Sequence, residues 1–320
     1  MTRYLVTGGA GFIGSHIAER LVRDGHEVRV LDNFSTGHRR NLRPFEHGIT
    51  LFEGDLTDEG LVRRAVEGVD VIFHEAALAS VPRSVETPLD THAACATGTL
   101  MLLDAARFAG VRRVVYAASS SAYGDQPYMA KRENDPPLPL SPYAAAKLAA
   151  EAYCQSFYHT YGLETVCLRY FNVFGPRQDP DSPYSAVIPL FITAMLEGRR
   201  PVVYGDGQQS RDFTYVANVV EGNLLAATAP DVAGRVINLA NGRTTTLLQL
   251  LQLLDELLGT QVEPEFAPPR VGDVKESMAD ITLARRLLGY ETVVDFETGL
   301  RESIDYYREL VAERQAAQGS

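Results

Sequence analysis

The tightest constraint on this chain lies in its first fourteen residues. Residues 3–7, R-Y-L-V-T, read as a short buried strand, and G-G-A-G-F-I-G follows at once. Gly8, Gly11 and Gly14 thus form G-x-x-G-x-x-G, after which an amphipathic helical pattern runs to about residue 24. Glycines at this spacing allow a tight turn, close approach of backbone N–H groups to a pyrophosphate, and close packing of helix on strand. A glycine motif alone is weak evidence. Here a second strand, 27–31, ends at Asp32. A carboxylate at that point suits the hydroxyls of an adenosine ribose and repels a 2′-phosphate, which favours NAD over NADP. Arg39 and Arg40 follow closely and weigh slightly the other way.

The pattern then alternates. Strands are expected at 50–53, 69–73, 114–117 and 164–169, with helices from residue 58, over 90–108, and from 144 to about 161. Apolar strands in regular βα alternation predict a Rossmann-type, doubly wound parallel sheet with helices on both faces. Ligands of such sheets bind beyond the carboxyl ends of the strands. Past Val173 prolines and glycines cluster and the alternation lapses. The expected division is a dinucleotide-binding domain over 1–172, with 211–240 returning to it. A smaller mixed α/β cap is expected from 173–210 and 241–320, with helices near 246–257 and 297–314.

Chemistry is concentrated between Ser119 and Lys147, in S-S-S-A-Y-G and S-P-Y-A-A-A-K. On a helix, Tyr143 and Lys147 emerge on one face, one turn apart. A phenol with a pKa of about 10 is a poor base at neutral pH, and a nearby ammonium is expected to lower it. A serine hydroxyl from a strand end would orient the substrate oxygen. Tyr-x-x-x-Lys also occurs on ordinary helix surfaces. Yet only three of the 30 basic residues are lysines, namely Lys131, Lys147 and Lys275. A chain this rich in arginine would be expected to use arginine for mere surface charge; lysine is the compact point charge suited to tuning a neighbour.

The balance of 41 acidic to 30 basic residues, a net charge of −11, argues against nucleic-acid or anionic-membrane partners. Cys95, Cys154 and Cys167 show no metal-ligand spacing and read as buried thiols of a reducing compartment. The first residues enter a strand directly and no long apolar run follows, so a cytoplasmic location is expected.

Taken together, the motifs T-G-G-A-G-F-I-G, D-N-F-S-T-G, G-D-L-T-D, H-E-A-A, S-P-Y-A-A-A-K, R-Y-F-N-V-F-G-P-R-Q, G-D-G-x-x-x-R-D-F and R-V-G-D-V resemble the extended short-chain dehydrogenase/reductases, and within them the nucleotide-sugar 4-epimerases. The resemblance spans nearly the whole chain. It implies Tyr143 as the base, Lys147 on the nicotinamide ribose and Ser119 as the catalytic hydroxyl. It implies NAD contacts at Gly8, Gly11, Phe12, Ile13, Gly14, Asp32, Asn33, Asp55, Leu56, Ala76, Ala77 and Tyr170. On local grounds Asp55 reads equally well as a turn-capping acid. The implied UDP-sugar contacts are Ser80, Ser119, Ser120, Ser121, Asn172, Gln178, Ala186, Val187, Tyr204, Arg211, Arg270, Asp273 and Ser277. No metal is implied. Members usually form homodimers through two helices each, here near 91–109 and 142–161.

Within that group, sugar 4,6-dehydratases carry Asp-Glu after the catalytic hydroxyl residue, where Ser120 and Ser121 stand here. Related decarboxylases place Glu at the Ser121 position. Without those carboxylates an acid/base pair for elimination is missing, which favours redox-neutral epimerisation at C4. A net oxidoreductase and a non-catalytic NAD-binding protein are the competing classes; relatives of the latter kind typically lack the Tyr/Lys pair. Ser277 occupies the position where hexose-restricted members carry a bulky Tyr, leaving volume for a 2-acetamido group. Arg177 leaves a uronate carboxylate as the alternative. Two departures stand out: Cys95 replaces an Asn near NAD, and Ala79 replaces a cofactor-binding Lys.

Overall fold

A computed structural model describes residues 2–128, 130–181, 186–269 and 275–318. Its centre is a seven-stranded sheet made of β1 (Arg3–Thr7), β2 (Glu27–Asp32), β3 (Ile49–Glu53), β4 (Val71–His74), β5 (Arg113–Ser119), β6 (Glu164–Tyr170) and β7 (Arg235–Leu239). The order is β7-β6-β5-β4-β1-β2-β3, and every pairing is parallel. β1 and β4 are neighbours although three crossovers separate them in sequence. The order reverses there, which opens a crevice at their carboxyl ends.

Both faces of the sheet are covered, and this is why its strands are apolar throughout. On one face α1 (Phe12–Arg23) packs beside the helix Val216–Thr228, over Val6, Val30, Val115 and Leu168. On the other, the helices Glu59–Val66, Gly98–Ala109 and Pro142–Tyr161 cover Leu5, Ile72, Val114 and Cys167. The last of these begins where the sequence dictates. Ser141 accepts a hydrogen bond from the Ala144 N–H, Pro142 occupies the first turn, and Gly162 ends the helix in a left-handed conformation. The helix expected over 90–108 is instead three pieces, Pro88–His92, a π turn at Ala93–Thr97, and Gly98–Ala109. The Thr99 hydroxyl donates to the Cys95 carbonyl at 2.6 Å within that irregularity, replacing a regular backbone partner.

Outside the main sheet, short strands assemble three smaller sheets. One has four strands in the order Thr245–Thr246, Ser210–Arg211, Glu276–Ala279, Ala130–Lys131. Val173–Phe174 pairs with Thr214–Tyr215, and Val202–Tyr204 with Glu265–Ala267. A separate apolar cluster including Phe174, Phe191, Leu250 and Tyr307 joins the helices Val187–Leu196, Leu247–Leu258 and Phe296–Gln318. Among the described residues no helix is long and apolar enough to cross a membrane.

Candidate active site

The glycine turn is fixed by what a side chain would meet. Gly8 has φ +66°, and a Cβ there would lie 2.7 Å from the Ala76 nitrogen; a Cβ on Gly14 would lie 2.3 Å from the Gly8 carbonyl oxygen. The turn therefore rests directly on the chain leaving β4, bringing Gly8 and Ala76 together. No side chain caps the amino end of α1, so the first-turn N–H groups of Phe12 and Ile13 remain for an anion. Ala77, one step further, packs with Tyr143 around the buried Cys95.

Asp32 ends β2 and is buried. Its two oxygens accept from the backbone N–H groups of Ala10, at 2.9 Å, and Phe34, at 2.8 Å. Burial raises its pKa, against the pull of those two bonds. The carboxylate thus ties the glycine turn to the loop after β2, a task the sequence did not reveal. Arg39 pairs with Glu53 and lies over the Phe34 ring, 4.4 Å from its centroid. Asp55 accepts from Asn33, at 2.7 Å, and from the Thr57 N–H and hydroxyl. It is the turn acid that local reasoning allowed, and it holds Asn33 in place. Leu56 is buried beside Gly98.

Ser119 is the last residue of β5, and the Ser120–Tyr123 turn begins at once. The Ser121 hydroxyl and N–H both donate to the Ser119 oxygen, at 2.8 and 3.2 Å. Ser119 lies beside the Tyr143 phenol and acts to lower its pKa, but burial dominates and raises it well above the ordinary value. Lys147 is buried too, and burial pushes its pKa down, with Cys95 and Glu75 opposing. Its ammonium sits 4.3 Å from the Tyr116 ring centroid. The expected lowering of the phenol pKa by Lys147 is therefore not what this structure displays. Desolvation drives both groups toward their neutral forms.

Tyr170 closes β6, and its hydroxyl donates to Glu75 at 2.9 Å while accepting from the Asn223 amide at 2.8 Å. Ser80 caps the helix Val81–Glu86 by accepting from the Arg83 N–H. Ala79 is exposed beside it.

A second cavity, of about 230 Å³, is lined by Asn172, Ala186, Val187, Tyr204 and Arg211 together with Phe174, Phe191 and Phe213. Five residues expected to contact the UDP-sugar are thus brought to one cavity, although the first and the last, 172 and 211, are 39 positions apart in sequence. Asn172 has φ +35°, and its amide donates to the Asp212 carbonyl at 3.3 Å. Gln178 donates to the Val173 carbonyl at 3.1 Å, while its amide oxygen is buried without a hydrogen-bond partner among the described residues. Ser277 is half-buried in a strand and stands in register with Arg211. Arg270 and Asp273 lie outside the described residues. Arg177 is committed elsewhere: it pairs with Glu19 of α1 at 2.5 Å and reaches Ser15.

Two residues escaped the sequence reading. Asp212, fully buried, accepts from the N–H groups of Asn241, Gly242 and Ala279, at 3.0, 3.0 and 3.2 Å. Glu75, in H-E-A-A, is the other. Both lay inside quoted motifs, but nothing in the neighbouring residues marked them as buried anchors.

A strand, a glycine turn, and a Ser–Tyr–Lys cluster converge on one crevice. The model of the NAD-dependent epimerase/dehydratase family matches residues 4–240. This chain belongs to that family. It is 39% identical over 310 residues to the UDP-glucose 4-epimerase of Mycolicibacterium smegmatis, covering 96% of this chain and 98% of that one. Among solved structures, a UDP-N-acetylglucosamine 4-epimerase from Methanobrevibacter ruminantium, in complex with UDP-N-acetylmuramic acid, superposes with a TM-score of 0.93 at 41% identity, covering 97% of this chain and 99% of that one. The UDP-glucose 4-epimerase of Thermotoga maritima, solved with UDP-glucose, gives 0.92 at 38%, covering 97% and 100%. The family's cofactor suits the crevice described above, where an open helix terminus, a carboxylate at the end of β2 and a Tyr–Lys pair on the helix Pro142–Tyr161 border the strand ends.

Proposed function

We propose that this chain is an NAD-dependent UDP-sugar 4-epimerase acting through a transient 4-keto sugar. The observation that carries the reading is Ser119, held by Ser121 beside the Tyr143 phenol, at the carboxyl edge of a sheet whose glycine turn lies two strands away. When bound, NAD supplies a reversible hydride acceptor. Gly8, Gly11, Phe12, Ile13 and Gly14 would hold its pyrophosphate, Asp32, Asn33, Asp55 and Leu56 its adenosine, and Ala76, Ala77, Lys147 and Tyr170 its nicotinamide half. Ser119 orients the sugar 4-hydroxyl and Tyr143 removes its proton; once the keto sugar has turned and C4 has regained its hydride on the other face, Tyr143 returns the proton to the 4-oxygen. Positioned groups replace bimolecular encounters, and no net oxidation remains.

Asn172, Ala186, Val187, Tyr204 and Arg211 would grip the nucleotide, with Ser80, Ser120 and Gln178 toward the sugar. A 2-acetamido hexose pair, UDP-GlcNAc and UDP-GalNAc, is the favoured substrate alongside UDP-Glc and UDP-Gal, since Ser277 is small and flanks Arg211. The uronate alternative loses support, because Arg177 is engaged with Glu19. Incubating the purified protein with UDP-GlcNAc, UDP-Glc and UDP-GlcA separately decides between these readings. Anomeric proton NMR should reveal the C4 epimer of the first two with no net NADH absorbance. Accumulated NADH or a stable keto sugar would instead indicate an oxidoreductase or dehydratase.

Self-association of two copies is part of this reading. Val85, Leu89, Phe108, Tyr153 and Tyr161 are exposed apolar residues on the segments 81–109 and 142–161, a concentration that suits a paired helix face. Leu89→Asp with Tyr153→Asp should yield a monomer in sedimentation if that face pairs.

A further inference from the structure

Glu75 is a carboxylate at the point where the strand order reverses, and none of the proton steps above uses it. It follows β4 directly, and its backbone touches the glycine turn: a Cβ on Gly8 would lie 2.9 Å from the Glu75 carbonyl carbon. Its side chain turns away from the His74 side of the sheet. His74 bonds Thr7 and Thr99 on one face, whereas Glu75 accepts from Tyr170, itself held by Asn223 of the helix on the opposite face. From there its charge acts on both Tyr143 and Lys147. The carboxylate therefore stands at the carboxyl end of β4, against the glycine turn and bonded to Tyr170, where the crevice opens. Its surroundings stabilise it poorly: burial pushes its pKa up to about 7 despite the Tyr170 bond and the Lys147 charge.

A poorly compensated negative charge distinguishes two forms of one ligand when they differ by a positive charge in its vicinity. The nicotinamide ring is cationic in NAD⁺ and neutral in NADH. We propose that Glu75 is a positioning residue that makes the site selective for the oxidised cofactor, holding NAD⁺ more tightly than NADH. The inference rests on the reading that places the nicotinamide half beside Tyr143, Lys147 and Tyr170. Its value to a redox-neutral cycle is direct, since a site that favours NAD⁺ over NADH drives the return of hydride to the keto sugar.

The test is the ratio of NAD⁺ to NADH dissociation constants, measured by calorimetry on the full chain for wild type, Glu75→Gln, Glu75→Leu and the control Glu133→Gln. Glutamine keeps an acceptor for Tyr170 and the same shape; leucine serves as the second variant if the first does not fold. Removing the charge should weaken NAD⁺ relative to NADH by about tenfold, the scale of one partly screened charge a few ångströms away. The control should leave the ratio as in wild type. A ratio that stays put in both Glu75 variants, or an equal loss for both cofactors, overturns the inference and leaves the cofactor assignment standing. Wild-type protein that binds neither form overturns both.

Discussion

The cofactor crevice and the nucleotide cavity are built by opposite means. In the crevice the parts are the ends of long, fully paired strands and a turn made of backbone, so neighbours in space are set by a parallel register and by glycines that admit no side chain. In the cavity the parts are side chains on strands of two to four residues drawn from distant segments, such as Arg211 beside Ser277. The first kind of site tolerates little change in the backbone and much in surface charge. The second depends on a few buried polar anchors, Asp212 above all, and its shape follows single side chains.

Four substitutions probe that contrast. Tyr143→Phe removes the group that moves the proton and changes nothing in the crevice backbone. Turnover of UDP-sugars should fall by about two to four orders of magnitude, the range for a general acid–base group, with melting temperature and NAD binding retained. Near wild-type turnover would refute the mechanism.

Asp212→Ala attacks the cavity's anchor. Three N–H groups, one buried and two half-buried, lose their acceptor, and at 1–3 kcal/mol for an unpaired buried group the whole should cost about 3 kcal/mol of stability in denaturant melts. An unchanged midpoint would show that the short-strand sheet holds itself together without this carboxylate.

Ser277→Tyr probes shape. Overpacking costs roughly 1–3 kcal/mol, and the ring should meet the acetamido group and spare the plain hexoses, so kcat/KM should drop selectively for UDP-GlcNAc and UDP-GalNAc. Equal losses on all four sugars, or none, would remove Ser277 from the specificity argument and leave epimerisation untouched.

The smallest effect belongs to the crevice rim. Arg39 and Glu53 are both more than half exposed, and such pairs contribute at most about 1 kcal/mol. Arg39→Ala should shift stability by less than that and leave the preference for NAD over NADP in place, if Asp32 sets it as proposed. A clear gain in preference for NAD would mean that Arg39 had been offsetting Asp32.

The same contrast explains what could be read from the chain. β1, the glycine turn and Asp32 are contiguous in sequence, and their geometry follows from local rules. The helix expected from 144 begins at Pro142, and its start signals, the Ser141 cap and Pro142 in the first turn, were local but were not read as such. The π turn at Ala93–Thr97 had no such local signal: A-A-C-A-T carries no proline or glycine, and its Cys95 packs against Ala146 and Tyr143, which are distant in sequence. The direction of the Tyr143 pKa was missed because spacing reports proximity to Lys147 and says nothing of desolvation. Asp212 and Glu75 were invisible as anchors because their partners, at 241, 242 and 279 and at 170, lie far along the chain.

β7 has a consequence for how the molecule is made. It pairs with β6 only after an excursion of more than sixty residues, and its Asn238 then accepts from the Tyr123 hydroxyl at 2.6 Å. During synthesis, β6 therefore emerges with one edge bare, although nearly all of its residues are destined for burial. A bare apolar edge is an invitation to pair with another chain. The nascent protein must keep that edge guarded until residue 239 has left the ribosome, and a chain stopped near 172 should precipitate on expression.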